Sequence, residues 1–172
     1  MVRTLVASVA LAFGLAGCAE KFESAPSSKT AGSCPVTLPS RTVPRGAGFT
    51  AAGFNYGNAF LRAHLYWPHG TLLAGILPDG GAMATINPDG SIAAKLGWWR
   101  GLRRKLVIRG QRLDASDPPL RADVPDGYGA LGFQPSGLTF PTVGCWRVVG
   151  KLGRASLTFV VKVTKLRSSK VA

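Results

Sequence analysis

The residues able to do chemistry in this chain are few: two histidines, eight carboxylates and three cysteines among 172 residues. His64 and His69 are separated by a Tyr-Trp-Pro stretch with no carboxylate near them in sequence. A catalytic or structural metal needs three or four ligands with supporting neighbours, so no metal site and no cofactor is expected. A serine nucleophile of the strand-to-helix kind needs an elbow such as G-x-S-x-G, and none occurs. The carboxylates of the folded region are Asp79, Asp89, Asp114, Asp117, Asp123 and Asp126. Three of them, Asp79, Asp89 and Asp126, stand in Pro-Asp-Gly turns, where the side chain caps backbone. No catalytic residue is therefore assigned.

Positive charge is the stronger signal. Lys and Arg number 21 against eight acids, a net charge of +13. Within thirteen residues fall Arg100, Arg103, Arg104, Lys105, Arg109 and Arg112, directly after Trp98-Trp99. On a strand, Leu106 and Ile108 would face a core while Arg103, Lys105 and Arg109 line the other side. Such a basic stripe is a candidate anion-binding surface, through point charges and bidentate guanidinium contacts to phosphate or carboxylate. The competing reading is a solvated outer face with Trp98 or Trp99 in the core.

What positions these groups begins at the N-terminus. Arg3 precedes an uncharged apolar run, Leu5 to Ala16, that is too short to span a membrane, which takes about 20 apolar residues. It reads as a signal peptide over residues 1–17. Leu15-Ala16-Gly17-Cys18 resembles the lipobox of bacterial lipoproteins. The resemblance implies that the Cys18 thiol is lipidated, that the preceding peptide is removed and that the chain is held at a membrane of the cell envelope. Two or three acyl chains anchor stably where one is marginal, each buried methylene contributing about 0.8 kcal/mol. Ala19 to Ser33 holds one large apolar residue, Phe22, and cannot bury enough surface to order itself. Residues 18–33 are thus read as lipidated cysteine and flexible tether, with a reach of about 20 Å.

With Cys18 given to lipid, Cys34 and Cys145 remain. An even remainder in an exported chain suggests a disulfide; the other arrangement is a buried thiol at Cys145 and a loop residue at Cys34. Residues 34–164 are a length that makes one domain, and residues 165–172 are read as a basic C-terminal tail.

The pattern of that domain is β. Leu61, Ala63, Leu65 and Trp67 alternate with Phe60, Arg62, His64 and Tyr66, the period of a half-buried strand. Strands are predicted over Thr71–Leu77, Ala82–Ile86 and Ser91–Lys95, punctuated by Pro-Asp-Gly turns. Three more are predicted over Leu138–Phe140, Cys145–Val149 and Ala155–Val163, the last two forming a hairpin. In the final strand Leu157, Phe159, Val161 and Val163 share one face, suited to pack on Trp146 and Val148. A sheet with one apolar face needs a second layer. Eight or nine short strands, a disulfide and a core Trp suggest a single all-β, immunoglobulin-like antiparallel β-sandwich. The segment LTFPTVGCWRVVGKLGRASLTFVVKV also resembles the closing strands of Ig-like domains in uncharacterised bacterial lipoproteins, which implies architecture and no function. Unlike antibody-type domains, Cys34 lies at the domain's edge and Trp146 adjoins its cysteine.

Together these features describe a membrane-anchored envelope module that is non-catalytic and binds an envelope partner protein, an anionic envelope polymer or anionic lipid. Nucleic acid is excluded as a partner by compartment. The alternative is a small envelope hydrolase or transferase whose site is invisible in sequence.

Overall fold

A computed structural model describes residues 33–40, 55–77, 80, 82 and 84–166. Signal, lipobox cysteine, tether up to residue 32 and tail from residue 167 lie outside the described residues. No helix among the described residues is long and apolar enough to cross a membrane.

The chain is all-β and sandwich-like. Its strands are β1 (Asn55–Gly57), β2 (Leu61–Leu65), β3 (Thr71–Ala74), β4 (Ala84–Ile86), β5 (Ile92–Arg100), β6 (Leu106–Arg112), β7 (Arg121–Asp123), β8 (Gly132–Phe140), β9 (Gly144–Leu152) and β10 (Ala155–Lys165). They form one continuous sheet that folds over on itself. In the first layer β5 pairs with β8 along one edge over its whole length, and β7 extends β8. Its other edge is shared by β2 at one end and β4 at the other, with β1 beyond β2. The second layer runs β3-β10-β9-β6. The layers join through β3 and β4 on one side, and on the other through the Leu120 N–H, which donates to the Gly110 carbonyl at 3.1 Å.

Two pairings depart from a purely antiparallel sandwich: β10 with β3, and β3 with β4, are parallel. β3 and β10 are far apart in sequence, as parallel neighbours usually are, whereas β3 and β4 are joined by residues 75–83, within which Ile76 and Ala82 form an antiparallel bridge. Strands in the C-terminal half extend further than hydrophobic alternation alone marks. β8 begins at Gly132 because Phe133 to Gly137 continue its pairing with β5 although Gly and Pro weaken the local strand signal.

The core fills the space between the layers by simple alternation. Ile92, Ala94, Leu96 and Trp98 of β5 point in, as do Leu106 and Ile108 of β6, Trp146 and Val148 of β9, and Phe159, Val161 and Val163 of β10. Trp98 meets Phe159 across the interior with ring centroids 6.0 Å apart, and Phe140 meets Trp146 edge-on at 5.6 Å. Trp98, fully buried, keeps its indole N–H bonded to Ser136 Oγ at 3.0 Å. The β9–β10 hairpin closes in two residues, with Gly153 at φ 61°, the first central position where a type II′ turn takes glycine.

The N-terminal segment of the domain is tied to the second layer. Cys34 is bonded to Cys145 of β9, with Cα atoms 5.4 Å apart. Thr37 donates its N–H to the Val160 carbonyl at 3.0 Å, and its hydroxyl accepts from the Val160 N–H at 2.9 Å. Residues near Thr37 thereby satisfy backbone groups of β10 that β3 does not reach.

Candidate functional site

The outer face of the second layer carries a row of cations. On β6, inward Leu106 and Ile108 leave Val107, Arg109 and Gln111 facing out; on β9, inward Trp146, Val148 and Leu152 leave Arg147, Val149 and Lys151 facing out. On β10 the outward positions include Ser156, Thr158, Val160 and Lys162. Register then decides which side chains meet. Val107 opposes Lys151, Arg109 opposes Val149 and Gln111 opposes Arg147. On the other flank of β9, Lys151 opposes Ser156, Val149 opposes Thr158 and Arg147 opposes Val160.

Every cation therefore has a neutral residue directly across the strand, and its like-charged neighbours sit on the diagonals. Lys105, Lys151, Arg109, Arg147 and Lys162 form a zigzag in which each is diagonal to the next. Diagonal positions are about 7–8 Å apart, where two unit charges repel by about 0.5 kcal/mol in a water-like dielectric. Directly opposed like charges would lie closer and repel more, so the register spreads the cost without removing it. All five side chains are exposed, and among the described residues none has an acidic partner within 4 Å. Lys105, Val107, Arg109, Val149, Lys151 and Gly153 line a depression of about 300 Å3 between three of the cations and their apolar neighbours.

The turn before β6 lengthens the row. Arg103 and Arg104 are exposed there, and the Arg104 stem lies beside Gly153 of the facing hairpin. Arg154 of that hairpin is exposed at the same end.

Four of the six residues predicted from sequence thus share one region: Arg103, Arg104, Lys105 and Arg109. The structure corrects the placement of the other two. Arg100 is buried at the end of β5, where its guanidinium donates to the Gly129 carbonyl and holds the turn before β8. Arg112 shares the inward parity of Leu106 and bonds Asp114 at 2.7 Å and Asp117 at 2.5 Å. Its Nη1 also donates to Thr142 Oγ1, which in turn donates to Asp117. This network holds the Asp117 carboxyl below its ordinary range through the Arg112 and Thr142 hydrogen bonds. Asp114 is lowered too; burial opposes the shift, and hydrogen bonds from Arg112 and from the backbone outweigh it. Arg112 is a structural clasp between the β6 end and the β8–β9 turn, with its charge already neutralised.

Arg147, Lys151, Lys162 and Arg154 were missed by the sequence reading. Strand alternation places the first three opposite the core residues of their own strands, which was visible. That β6 lies beside β9 rather than beside β5 was not.

The remaining chemical candidates stay apart. His64 faces out from β2, half-buried, its ring edge-on to Tyr66 at 5.0 Å, and burial lowers its pKa from the ordinary 6.5. His69 is exposed in the 310 turn Pro68–Gly70, in a left-handed conformation with φ 52°. Among the described residues no three His, Cys, Asp or Glu side chains converge. Comparison with protein-family models, curated proteins and solved structures finds no match for this chain.

Proposed function

We propose that this chain is a non-catalytic binding module of the bacterial cell envelope, held at the membrane through a lipidated Cys18, whose β6–β9–β10 face binds an anionic envelope polymer. One observation carries the reading: five exposed cations in a register-defined zigzag, without an acidic partner among the described residues. A chain ordinarily offsets such a surface with interspersed acids, as Arg112 and Arg121 are offset elsewhere in this same domain. A phosphate- or carboxylate-bearing polymer laid along the zigzag would relieve the mutual repulsion and engage several cations at once. Arg109 and Arg147 suit bidentate contacts, while the lysines act as mobile point charges. The Cys34–Cys145 bridge supports an oxidising compartment, and the lipobox supports a location within tether reach of envelope polymers.

The test is charge reversal on the outward positions. Lys105→Glu, Arg109→Glu and Lys151→Glu together are expected to leave thermal stability nearly unchanged, since exposed strand positions change stability by less than about 0.5 kcal/mol each. Retention on immobilised teichoic acid or lipopolysaccharide should fall by about a hundredfold. This follows if each of the three lost contacts contributes about 1 kcal/mol, about 3 kcal/mol together. Wild-type binding should weaken steeply from low to physiological salt. Salt-insensitive binding, or equal retention of the triple variant, overturns the assignment.

A further inference from the structure

The outer face of the first layer is built quite differently. Register places Thr85 of β4, Ala93 of β5, Thr139 of β8 and Arg121 of β7 in one row across the sheet. Lys95, Gly137 and Asp123 make the next row, and Gly97 with Pro135 the one after. Between Thr139, Lys95 and Pro135 the diagonal neighbours Ala93 and Gly137 carry at most a methyl group, so backbone forms part of the floor there. Tyr66, Leu77 and Thr85 rise on one side, and Arg121 and Asp123 on the other. The result is a groove of about 1080 Å3, as large as the clefts that bury drug-sized ligands, about 300–1,000 Å3.

Gly137 shows that the floor is not a by-product of folding. Its backbone is outside the left-handed region, and a Cβ there would meet nothing nearer than Asp123 Cβ at 3.7 Å, an ordinary contact. A glycine inside a nine-residue strand weakens that strand, and marks a place where another molecule approaches closely. Neither conformation nor packing asks for glycine at this position; an open floor does.

The walls narrow the chemistry of the occupant. The floor is a sheet face whose backbone groups are spent on neighbouring strands, so it offers no ladder to an extended peptide. Most of the lining is Ala, Leu, Pro or Gly, with polar tips from Tyr66, Thr85, Lys95, Arg121, Asp123 and Thr139. What suits it is a flexible apolar body needing no hydrogen bonds. Lys95 stands exposed within the groove, with no acid in ion-pair range among the described residues, whereas Arg121 of the same lining is paired with Asp89 at 4.0 Å; Lys95 thus provides a positive charge for a head group. Asp123, on the other side of Gly137, opposes a dianion. We infer that the groove binds a long-chain fatty acid, its alkyl chain on the Ala93–Gly137 floor and its carboxylate at Lys95.

The site is independent of the basic face, which lies on the opposite layer. It can be tested on the full chain in its own membrane with a palmitic-acid analogue carrying a diazirine, followed by mapping of the photolabelled peptides. Labelling is expected on peptides holding Tyr66, Ala93 or Gly137. It should fall at least tenfold in Gly137→Leu, which fills the floor, and several-fold in Lys95→Glu. The second variant alters an exposed side chain and serves if Gly137→Leu lowers the folded yield. Unlabelled competitors should weaken about fourfold for each methylene removed. Labelling that avoids these peptides, or that persists unchanged in both variants, overturns the inference.

Discussion

On the outer surface of β6, β9 and β10 exposed cations alternate with neutral residues; across β4, β5, β8 and β7 the small residues Ala93 and Gly137 open a groove beside a lone Lys95. Both surfaces follow from one rule, that strand residues alternate sides, and both layers spend their inward positions on the same core of Trp, Phe, Leu and Val. The inward choices are dictated by packing. The outward ones are not, and each surface bears a local cost that folding does not require: mutual repulsion on one, a mid-strand glycine on the other. Costs of that kind, accepted where the fold leaves freedom, are where function is best sought.

The layers also differ in how they are held. The basic layer is tied to the N-terminal segment by the Cys34–Cys145 bridge and by the Thr37 bonds to Val160, whereas no disulfide reaches β5 or β8. A crosslink over a separation of 111 residues contributes about 4–5 kcal/mol in the chain-entropy model. Cys34→Ser is therefore expected to lower Tm by roughly 15–20 °C. Amide exchange should rise more in β9 and β10 than in β5 and β8. Equal loosening of both layers would break the distinction.

The division between legible and illegible features falls along the same line. Alternation in β2, β9 and β10 was plain, because apolar residues recur at alternate positions with turn residues at the strand ends, and Leu106 and Ile108 gave residues 103–109 the same reading on the supposition of a strand. The outward placement of Lys105 and Arg109 followed from it. Arg100 and Arg112 were misplaced because clustering in sequence was read as clustering in space. Residue 112 has the inward parity of Leu106, and its partners Asp114, Asp117 and Thr142 come from two different turns. The parallel neighbours of β3 could not be read at all, since pairing between distant strands leaves no local mark. The groove was illegible for the same reason: Ala93, Gly137 and Asp123 become one surface only through register.

Two glycines sharpen the comparison at intermediate magnitude. Gly150 of β9 faces inward, and a Cβ there would sit within 2.6 Å of Trp98 Cη2, whereas the Cβ of an alanine at 137 would have room. Gly150→Ala must push a buried indole that is also fixed by its bond to Ser136, and overpacking of this kind costs about 1–3 kcal/mol. Gly137→Ala should be neutral or stabilising by up to about 1 kcal/mol, through the lower entropy of the unfolded chain. Urea unfolding of the two variants checks both. If Gly137→Ala proves as damaging as Gly150→Ala, the groove floor is a packing requirement and its openness has no separate meaning.

The smallest expected effect separates the layers by the variable that moves each. Salt acts on the basic face, while mild acid acts on the first layer through His64. Burial on the outer side of β2, beside Tyr66, holds the His64 pKa below 6.5. The folded imidazole thus stays neutral at a pH where the unfolded chain already takes up its proton. A group shifted in this direction leaves stability at its full value above about pH 6.5 and removes it progressively as pH falls toward the folded pKa. Asp114 and Asp117 are lowered from 3.8, so their contribution is lost only at more acidic pH, as protonation breaks the Arg112 network. Between pH 7 and 5 the wild-type Tm should therefore decline slightly, and His64→Gln should flatten that decline while leaving the steeper loss below about pH 4 in place. Thermal melts at low and moderate salt should show the same His64-dependent slope, because the titrating group is far in register from the zigzag on β6, β9 and β10. An unchanged slope in His64→Gln would mean that protonation elsewhere sets the mild-acid response, and the first layer would lose its separate pH dependence.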